Sequence, residues 1–378
     1  MTWADRIVDR WLYDSLSKQL HDWFLPGCFA YRLSARGEYG VDACQNAVAK
    51  DLQTYKYFIK RDISSFFYSI RHDILLKQLS ELVDDQDPLF KMLVDRISCS
   101  WIDQEGETGV NDIGVPFGCA SACLLANLHL RPIDEQICAL PVRYYRYADD
   151  FLMLGNDPNK LLEAANLLDE GIKERGLSCK PSHSHNYAFV EQPGFEFIKR
   201  FKYLGLEFCS DGQVRLAIEK QRKIRRIYWL TLDAQKRQLR NLPFTEQVKK
   251  AVEVVNDVLL ERVRSISIID YYLSHISDEK QLVILDRLII EDLISTVLNK
   301  RFKKGHFKHI SPSWLRSLGL ISLLHRHRLI KHGVIKTSFF DLRNSKIVER
   351  HVRKMELRRE KINYIRITRK RKCDQTPR

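Results

Sequence analysis

Two short apolar runs, PVRYYRY and FLMLGND, meet at Ala148, Asp149 and Asp150, so the chain has to double back there as a tight hairpin. Its tip carries two adjacent carboxylates. Far upstream, YKYFIKRDISSFFYSI is rich in aromatic and β-branched residues before Asp62, which reads as a strand running into a turn. With these strands side by side, Asp62 and Asp149 share one edge of a sheet. Crowded carboxylates repel unless a cation sits between them, and hard divalent ions such as magnesium are the usual answer. Two such ions, roughly 3.5–4 Å apart, would activate a 3'-hydroxyl and stabilise a leaving pyrophosphate. Taken alone, an Asp-Asp turn and an Asp at a strand end are ordinary turn and capping residues.

The rest of the chain sets the fold class. Residues 1 to 55 read mostly as helix, with a loop near LPGCFAYRLSARGEYG. HDILLKQLSELV is helical, GVPFGCASACLLANLHLRPID starts as a Pro/Gly loop and continues as helix, and LLEAANLLDEGIKERG is an amphipathic helix stopped by Gly176. FKYLGLEFCSDGQVRL reads as a hairpin around Asp211 and Gly212, and from Ala217 on apolar residues recur at three and four residue spacing. The expectation is an α+β chain: an antiparallel sheet backed by helices, then an all-helical unit.

A length of 378 residues fits two or three structural units. Lys and Arg number 62 against 48 Asp and Glu, a formal charge of +14, which points to a polyanion partner such as nucleic acid. From His351 to Arg378 there are eleven Lys or Arg and three acids, a phosphate-binding tail or a solvated face. The start, MTWADRIVDRW, lacks a secretory apolar core, and QLVILDRLIIEDLISTVL is broken by Asp286, Arg287, Glu291 and Asp292, so a cytoplasmic chain with no membrane partner is expected. Nine cysteines without a CxxC pair fit a reduced interior, and Cys119 and Cys123 read as packing residues.

FIKRDISSFF, GVPFG followed by LLAN, YRYADDF and FKYLG occur in this order, and together they resemble motifs A, B, C and E of the reverse transcriptase palm. The resemblance covers roughly residues 5 to 215, and YADD with its Asp-Ile-x-x-Phe-Phe partner is a specific signal. It is a resemblance to bacterial reverse transcriptases, RNA-directed DNA polymerases with a right-hand fold. It implies fingers and palm over 1–215, with fingers that look truncated at the N-terminus, a helical thumb over 216–300 and a basic helical extension over 301–378. Carried over by residue, Asp62, Asp149 and Asp150 are the catalytic carboxylates, and with the Ile63 carbonyl they hold two Mg2+ ions, or Mn2+. Phe67 takes the steric-gate position against a ribose 2'-hydroxyl, although a Phe-Phe pair is also ordinary core. Phe117 and Gly118 belong to the nucleotide-binding segment. Tyr203, Leu204 and Gly205 match the primer grip, although YLG could equally be plain strand and turn.

Three departures qualify the match. The usual Pro-Gln-Gly and Ser-Pro of motif B are Pro116-Phe117-Gly118 and Ala122-Cys123. His183 stands where motif D commonly places a proton-donating lysine, and imidazole titrates near neutrality; an exposed loop histidine is the plainer reading. The basic fingertip hairpin is missing, which leaves Arg32, Arg36 and Lys60, or a partner, for the triphosphate. In the helical part, Arg222, Lys223, Arg225 and Arg226 beside Tyr228 and Trp229 suit nucleic acid, and KRFKKGHFKH is a second basic patch.

The resemblance implies dNTPs, an RNA template and a DNA product. No RNase H, endonuclease or integrase segment is visible after the thumb, and the atypical motif B is similar to that of defence-associated, unknown-group antiphage enzymes. Those use a non-coding RNA and sometimes a second reverse transcriptase; a homo-oligomer would also supply the missing fingertips. A diversity-generating retroelement or retron enzyme is the alternative. An RNA-binding, maturase-like scaffold is the non-enzymatic one, and three intact carboxylates speak against it.

Overall fold

The structure is a computed structural model and describes residues 3–32, 38–98, 100–102, 108–110, 113–116, 118–260 and 268–335. The basic tail from His351, together with Arg36 and Phe117, lies outside the described residues. In chain order the first elements are α1 (Trp3–Leu20), α2 (Val41–Asp51), β1 (Tyr57–Asp62), α3 (His72–Ser80), α4 (Pro88–Ile97), β2 (Ser100–Ile102), β3 (Thr108–Val110) and α5 (Ala120–Cys138). There follow β4 (Arg143–Tyr147), β5 (Asp150–Gly155), α6 (Pro158–Glu174), β6 (His185–Ala188), β7 (Glu196–Phe197), β8 (Arg200–Tyr203), β9 (Leu206–Cys209) and β10 (Val214–Leu216). The remainder is helical: α7 (Ile218–Arg240), α8 (Phe244–Leu260), α9 (Ile268–His275), α10 (Glu279–Leu298), α11 (Pro312–Ser317) and α12 (Leu323–Lys331). The fold is α+β, as expected.

The chain forms two compact units, residues 1–204 with 210–212, and residues 205–209 with 213–378. The first is built on a five-stranded sheet in the order β4-β5-β1-β6-β7, with β1 antiparallel to both its neighbours. Alternation along β1 decides which residues face the core. Ile59 and, just past the strand, Ile63 are buried with Phe151 and Met153 of β5. They share one apolar cluster with Leu124, Leu125 and Leu128 of α5 and Leu161, Leu168 and Ile172 of α6. Phe58, Lys60 and Asp62 therefore fall on the opposite face.

Helix ends follow local chemistry. Asp157 and Pro158 start α6 by side-chain capping and a preset φ, as Asp87 and Pro88 start α4. The buried Asp9 of α1 accepts from Ala120 N at 2.6 Å and from the Ser121 hydroxyl, so it caps the first turn of α5. In the second unit β9 and β10 pair with Val214 opposite Phe208, and α7 packs against α8 and α10. FKYLGLEFCSDGQVRL thus contains two turns, at residues 204–205 and 210–213, where a single hairpin was expected. Among the described residues no helix is long and apolar enough to cross a membrane.

Candidate active site

Strand register brings the distant carboxylates together. Asp62, the last residue of β1, pairs with Asp150, the first of β5, and the next amide, Ile63 N, donates to Asp149 O at 3.2 Å. The β4–β5 turn consists of Ala148 and Asp149 alone, and Ala148 holds φ 58°, a left-handed value that such a tight turn demands. Directly paired residues point to one face of a sheet, so Asp62 and Asp150 stand on the same side. A third segment closes against them: Lys180 N donates to Asp62 O at 2.7 Å and Ser64 N to Ser178 O at 2.8 Å. Those bonds flank Ile63 and do not use its carbonyl.

Each carboxylate has its own surroundings. Asp62 accepts from Lys180 Nζ at 2.7 Å, and that hydrogen bond holds the ammonium above its ordinary pKa. Asp150 Oδ1 lies 3.4 Å from Lys60 Nζ, which is ion-pair distance without a good hydrogen bond, so a buried carboxylate oxygen is left unsatisfied. Burial pushes Asp150 up to about 7, with the lysine opposing and the Asp62 charge adding to the rise. Asp149 is also raised, by burial first and by Asp62. Among the described residues no three His, Cys, Asp or Glu side chains converge as a ready-made cage. The donors are nevertheless hard oxygens under mutual repulsion, which is the set a hard divalent cation fits.

Around the carboxylates, Phe67 is half-buried, 5.5 Å between ring centroids from Phe66 and 6.5 Å edge-to-face from Tyr31. Its carbonyl accepts from Val115 N at 2.8 Å, and Ile70 O accepts from Gly114 N at 2.7 Å. Gly114, at φ 88°, comes so close that a Cβ would lie 2.9 Å from the Tyr68 backbone, so no other residue fits there. Gly118 is exposed at φ 96° with nothing near its Cα face.

Other expected site residues lie differently. Arg32 is clasped in its own loop, with Nη1 on Leu25 O at 2.8 Å, Nη2 on His21 O at 2.9 Å and the guanidinium 3.6 Å above the Tyr39 ring. Lys60 faces Asp150, with its ammonium 3.4 Å from Lys202 O. His183 is exposed and hydrogen-bonded to Ser182 Oγ at 2.9 Å; the side chain of this segment that reaches Asp62 belongs to Lys180, which the sequence reading passed over. Tyr203 is fully buried, and its hydroxyl donates to Asp150 O at 3.3 Å. Leu204 and Gly205 form the turn after it at φ 47° and 82°, and Leu204 O accepts from Gln45 Nε2 at 2.8 Å.

In the second unit, Arg222 and Arg226 lie one turn apart and exposed on α7, with Lys223 half-buried. Arg225 turns inward and grips Asp292 of α10 through two bonds of 2.7 and 2.8 Å. The α10–α11 loop exposes Lys300, Arg301, Lys303, Lys304 and Lys308 without an acid among them.

The family model for reverse transcriptase (RNA-dependent DNA polymerase) matches residues 2–208. No curated protein matches the chain. Among solved structures it is similar to apo telomerase from Candida tropicalis, at 11% identity and a TM-score of 0.46 over 85% of this chain and 55% of that one. Telomerase from Candida albicans with a fragment of telomeric RNA gives 13% identity and 0.44, over 82% and 55%. The RNA-dependent RNA polymerase of a human picobirnavirus gives 12% and 0.43, over 86% and 56%. The chain spans about half the length of these structures.

Proposed function

This chain belongs to the reverse transcriptase (RNA-dependent DNA polymerase) family, and from that premise we propose that its first unit extends a DNA strand by one dNTP at a time on an RNA template. The observation that carries the reading is the register of Asp62 against Asp150, with Asp149 one residue away at the turn. In this reading Asp62, Asp149 and the Ile63 carbonyl would hold divalent ions, with Asp150 beside them. Such ions, when bound, acidify the attacking hydroxyl and neutralise the departing pyrophosphate.

The chain's own residues supply the rest. Lys180, protonated and touching Asp62, balances the carboxylate charge, and in this reading it would be the proton donor to the leaving group. Phe67 puts its ring beside the incoming sugar and so favours deoxynucleotides. The Tyr203–Leu204 segment, tied to Asp150 O and Gln45, steadies the primer end. A role for Arg32 on the triphosphate would require its clasp on Leu25 and His21 to open. Arg222, Arg226 and the cations of the α10–α11 loop would meet nucleic-acid phosphates, whereas Arg225 is engaged with Asp292.

The test is single-nucleotide incorporation by the purified chain on an RNA template with a DNA primer and Mg2+. Asp149→Ala with Asp150→Ala should abolish incorporation and leave RNA binding intact; equal incorporation by the double variant would overturn the reading. Phe67→Ala should raise ribonucleotide use about tenfold or more relative to dNTP. For the wider setting we propose antiphage defence with a non-coding RNA, supported by Pro116-Phe117-Gly118 and Ala122-Cys123 in motif B. Sequencing the nucleic acid that copurifies decides it: one structured RNA species supports the setting, and a variable-gene transcript supports diversification.

A further inference from the structure

Among the described residues five that are not glycine adopt left-handed backbone, and two of these share a buried support, Tyr31 at φ 59° and Ala148 at φ 58°. Such conformations are costly and persist only where the surroundings over-determine them. Here both are held from one buried place. Ala30 O, one residue before Tyr31, accepts from Asn127 Nδ2 at 2.6 Å. Ala148 O, one residue before Asp149, accepts from Arg146 Nη1 at 3.1 Å, and the same nitrogen donates to Asn127 Oδ1 at 2.9 Å. The two ends of a single amide are thus linked to both backbone kinks.

The guanidinium of Arg146 has no freedom left. Nε donates to Asp134 Oδ1 at 2.7 Å, Nη2 donates to Asp134 Oδ2 and to Cys28 Sγ, and Nη1 serves Asn127 and Ala148, so all five N–H donors are used. Asn127, Asp134 and Arg146 are at most 1% exposed. A buried Arg–Asp pair adds little net stability over well-packed apolar residues. What it supplies is direction: a rigid fork aims fixed donors at fixed acceptors, which a lysine cannot imitate.

What stands at the two ends is chemically specific. The Tyr31 ring meets Phe67 edge-to-face at 6.5 Å and Tyr147 at 6.4 Å, so it backs the ring proposed as the sugar gate. Ala148 sets the turn that presents Asp149. We infer that Asn127 and Arg146 are positioning residues that lock the Tyr31–Phe67 aromatic wall and the Ala148–Asp149 turn into one fixed spacing, so that sugar selection and metal-site geometry share a single buried support. The inference rests on the polymerase reading proposed above.

The two arms give separable signatures. Asn127→Asp keeps the side-chain shape and the acceptor for Arg146 but replaces the donor to Ala30 O with an oxygen. It should raise KM for dNTP and the ribonucleotide-to-deoxynucleotide kcat/KM ratio, each by roughly tenfold, with kcat per active site changed less than about threefold. Arg146→Lys loses the fork on Ala148 O and Asp134, and should lower kcat per active site about a hundredfold with KM little changed. Tyr31→Ala should reproduce the altered sugar ratio of Asn127→Asp, and the double variant should be no worse than either alone, since both act through one wall. The measurements are single-turnover kinetics with dNTP and rNTP on the full chain, scaled to active sites by burst amplitude.

Normal KM, sugar ratio and kcat per active site in Asn127→Asp, or additive effects with Tyr31→Ala, would overturn the inference while the wild type still polymerises. A wild type that incorporates nothing would overturn the polymerase reading and the inference with it. Should Arg146→Lys fail to fold, the Asn127→Asp and Tyr31→Ala pair decides the matter alone.

Discussion

Three acidic side chains in the helical unit are each met by an arginine through two bonds, whereas two at the sheet edge of the first unit are met by lysines. On the helical side Asp270 takes two bonds of 2.6 and 2.7 Å from Arg326, Asp292 two from Arg225, and Glu279 two from Arg328. On the sheet side Asp62 has a single bond from Lys180, and Asp150 has Lys60 no nearer than 3.4 Å. A bidentate guanidinium matches a carboxylate in shape and locks it, whereas an ammonium on four methylenes is a point charge that swings away. The first arrangement builds structure, and the second leaves anionic charge that a cation or substrate can claim. In the first unit the arginine lock recurs at Asp169 with Arg61 and, beneath the site, at Asp134 with Arg146, where a fixed geometry is what the turn above requires.

The contrast breaks most visibly if paired substitutions behave alike. Asp62→Asn should reduce nucleotide incorporation on the order of a thousandfold or more, with the thermal unfolding midpoint nearly unchanged. Asp270→Asn should do the reverse. Its carboxylate is fully buried against Arg326, so removing its charge should destabilise the chain by about 3 kcal/mol, while activity per folded molecule is kept. Denaturant titration and active-site counting on both variants check the pair.

A subtler separation comes from pH. Asp150, pushed up to about 7 by burial, keeps its proton in the folded chain at pH values where the unfolded chain has lost it. Folding therefore takes up a proton between about pH 4 and 7. The contribution to stability is present below that window and is lost as pH rises through about 7. Metal-free Asp150→Asn should gain on the wild type in unfolding free energy as pH rises from about 5 to 8, and divalent ions should shrink the gain. A difference independent of pH would show that the carboxyl is already ionised across this range. The smallest effect belongs to Arg225→Ala, whose half-exposed pair with Asp292 should cost about 1 kcal/mol of stability, with salt-dependent RNA binding unchanged. Loss of a phosphate contact in that salt dependence would put Arg225 back among the nucleic-acid ligands.

What the sequence showed plainly was local. The Asp149–Asp150 turn between two apolar runs, the strand leading to Asp62 and the amphipathic α6 and α10 are all written in neighbouring residues. α4 was legible too, since Asp87 and Pro88 form a cap with proline at the first helical position. The short strands β6 and β7 were not, because two to four residues carry too little alternation to register. Lys180 escaped notice because its contact with Asp62 depends on a pairing of residues 178–180 with 62–64 that no local pattern announces. Arg32 shows the opposite difficulty: a basic residue in a loop invites a phosphate, yet the backbone carbonyls of that loop claim it first. Arg146 shares its strand with the exposed Arg143, and no local pattern marked which of the two arginines has the buried partner.

The most direct test counts Mn2+ ions by electron paramagnetic resonance on the full chain with primer, RNA template and dNTP. The wild type should bind two tight ions, Asp270→Asn should keep both, and Asp62→Asn with Asp149→Asn should lose them. Equal Mn2+ binding by the wild type and the Asp62/Asp149 double variant would contradict the assignment of these carboxylates.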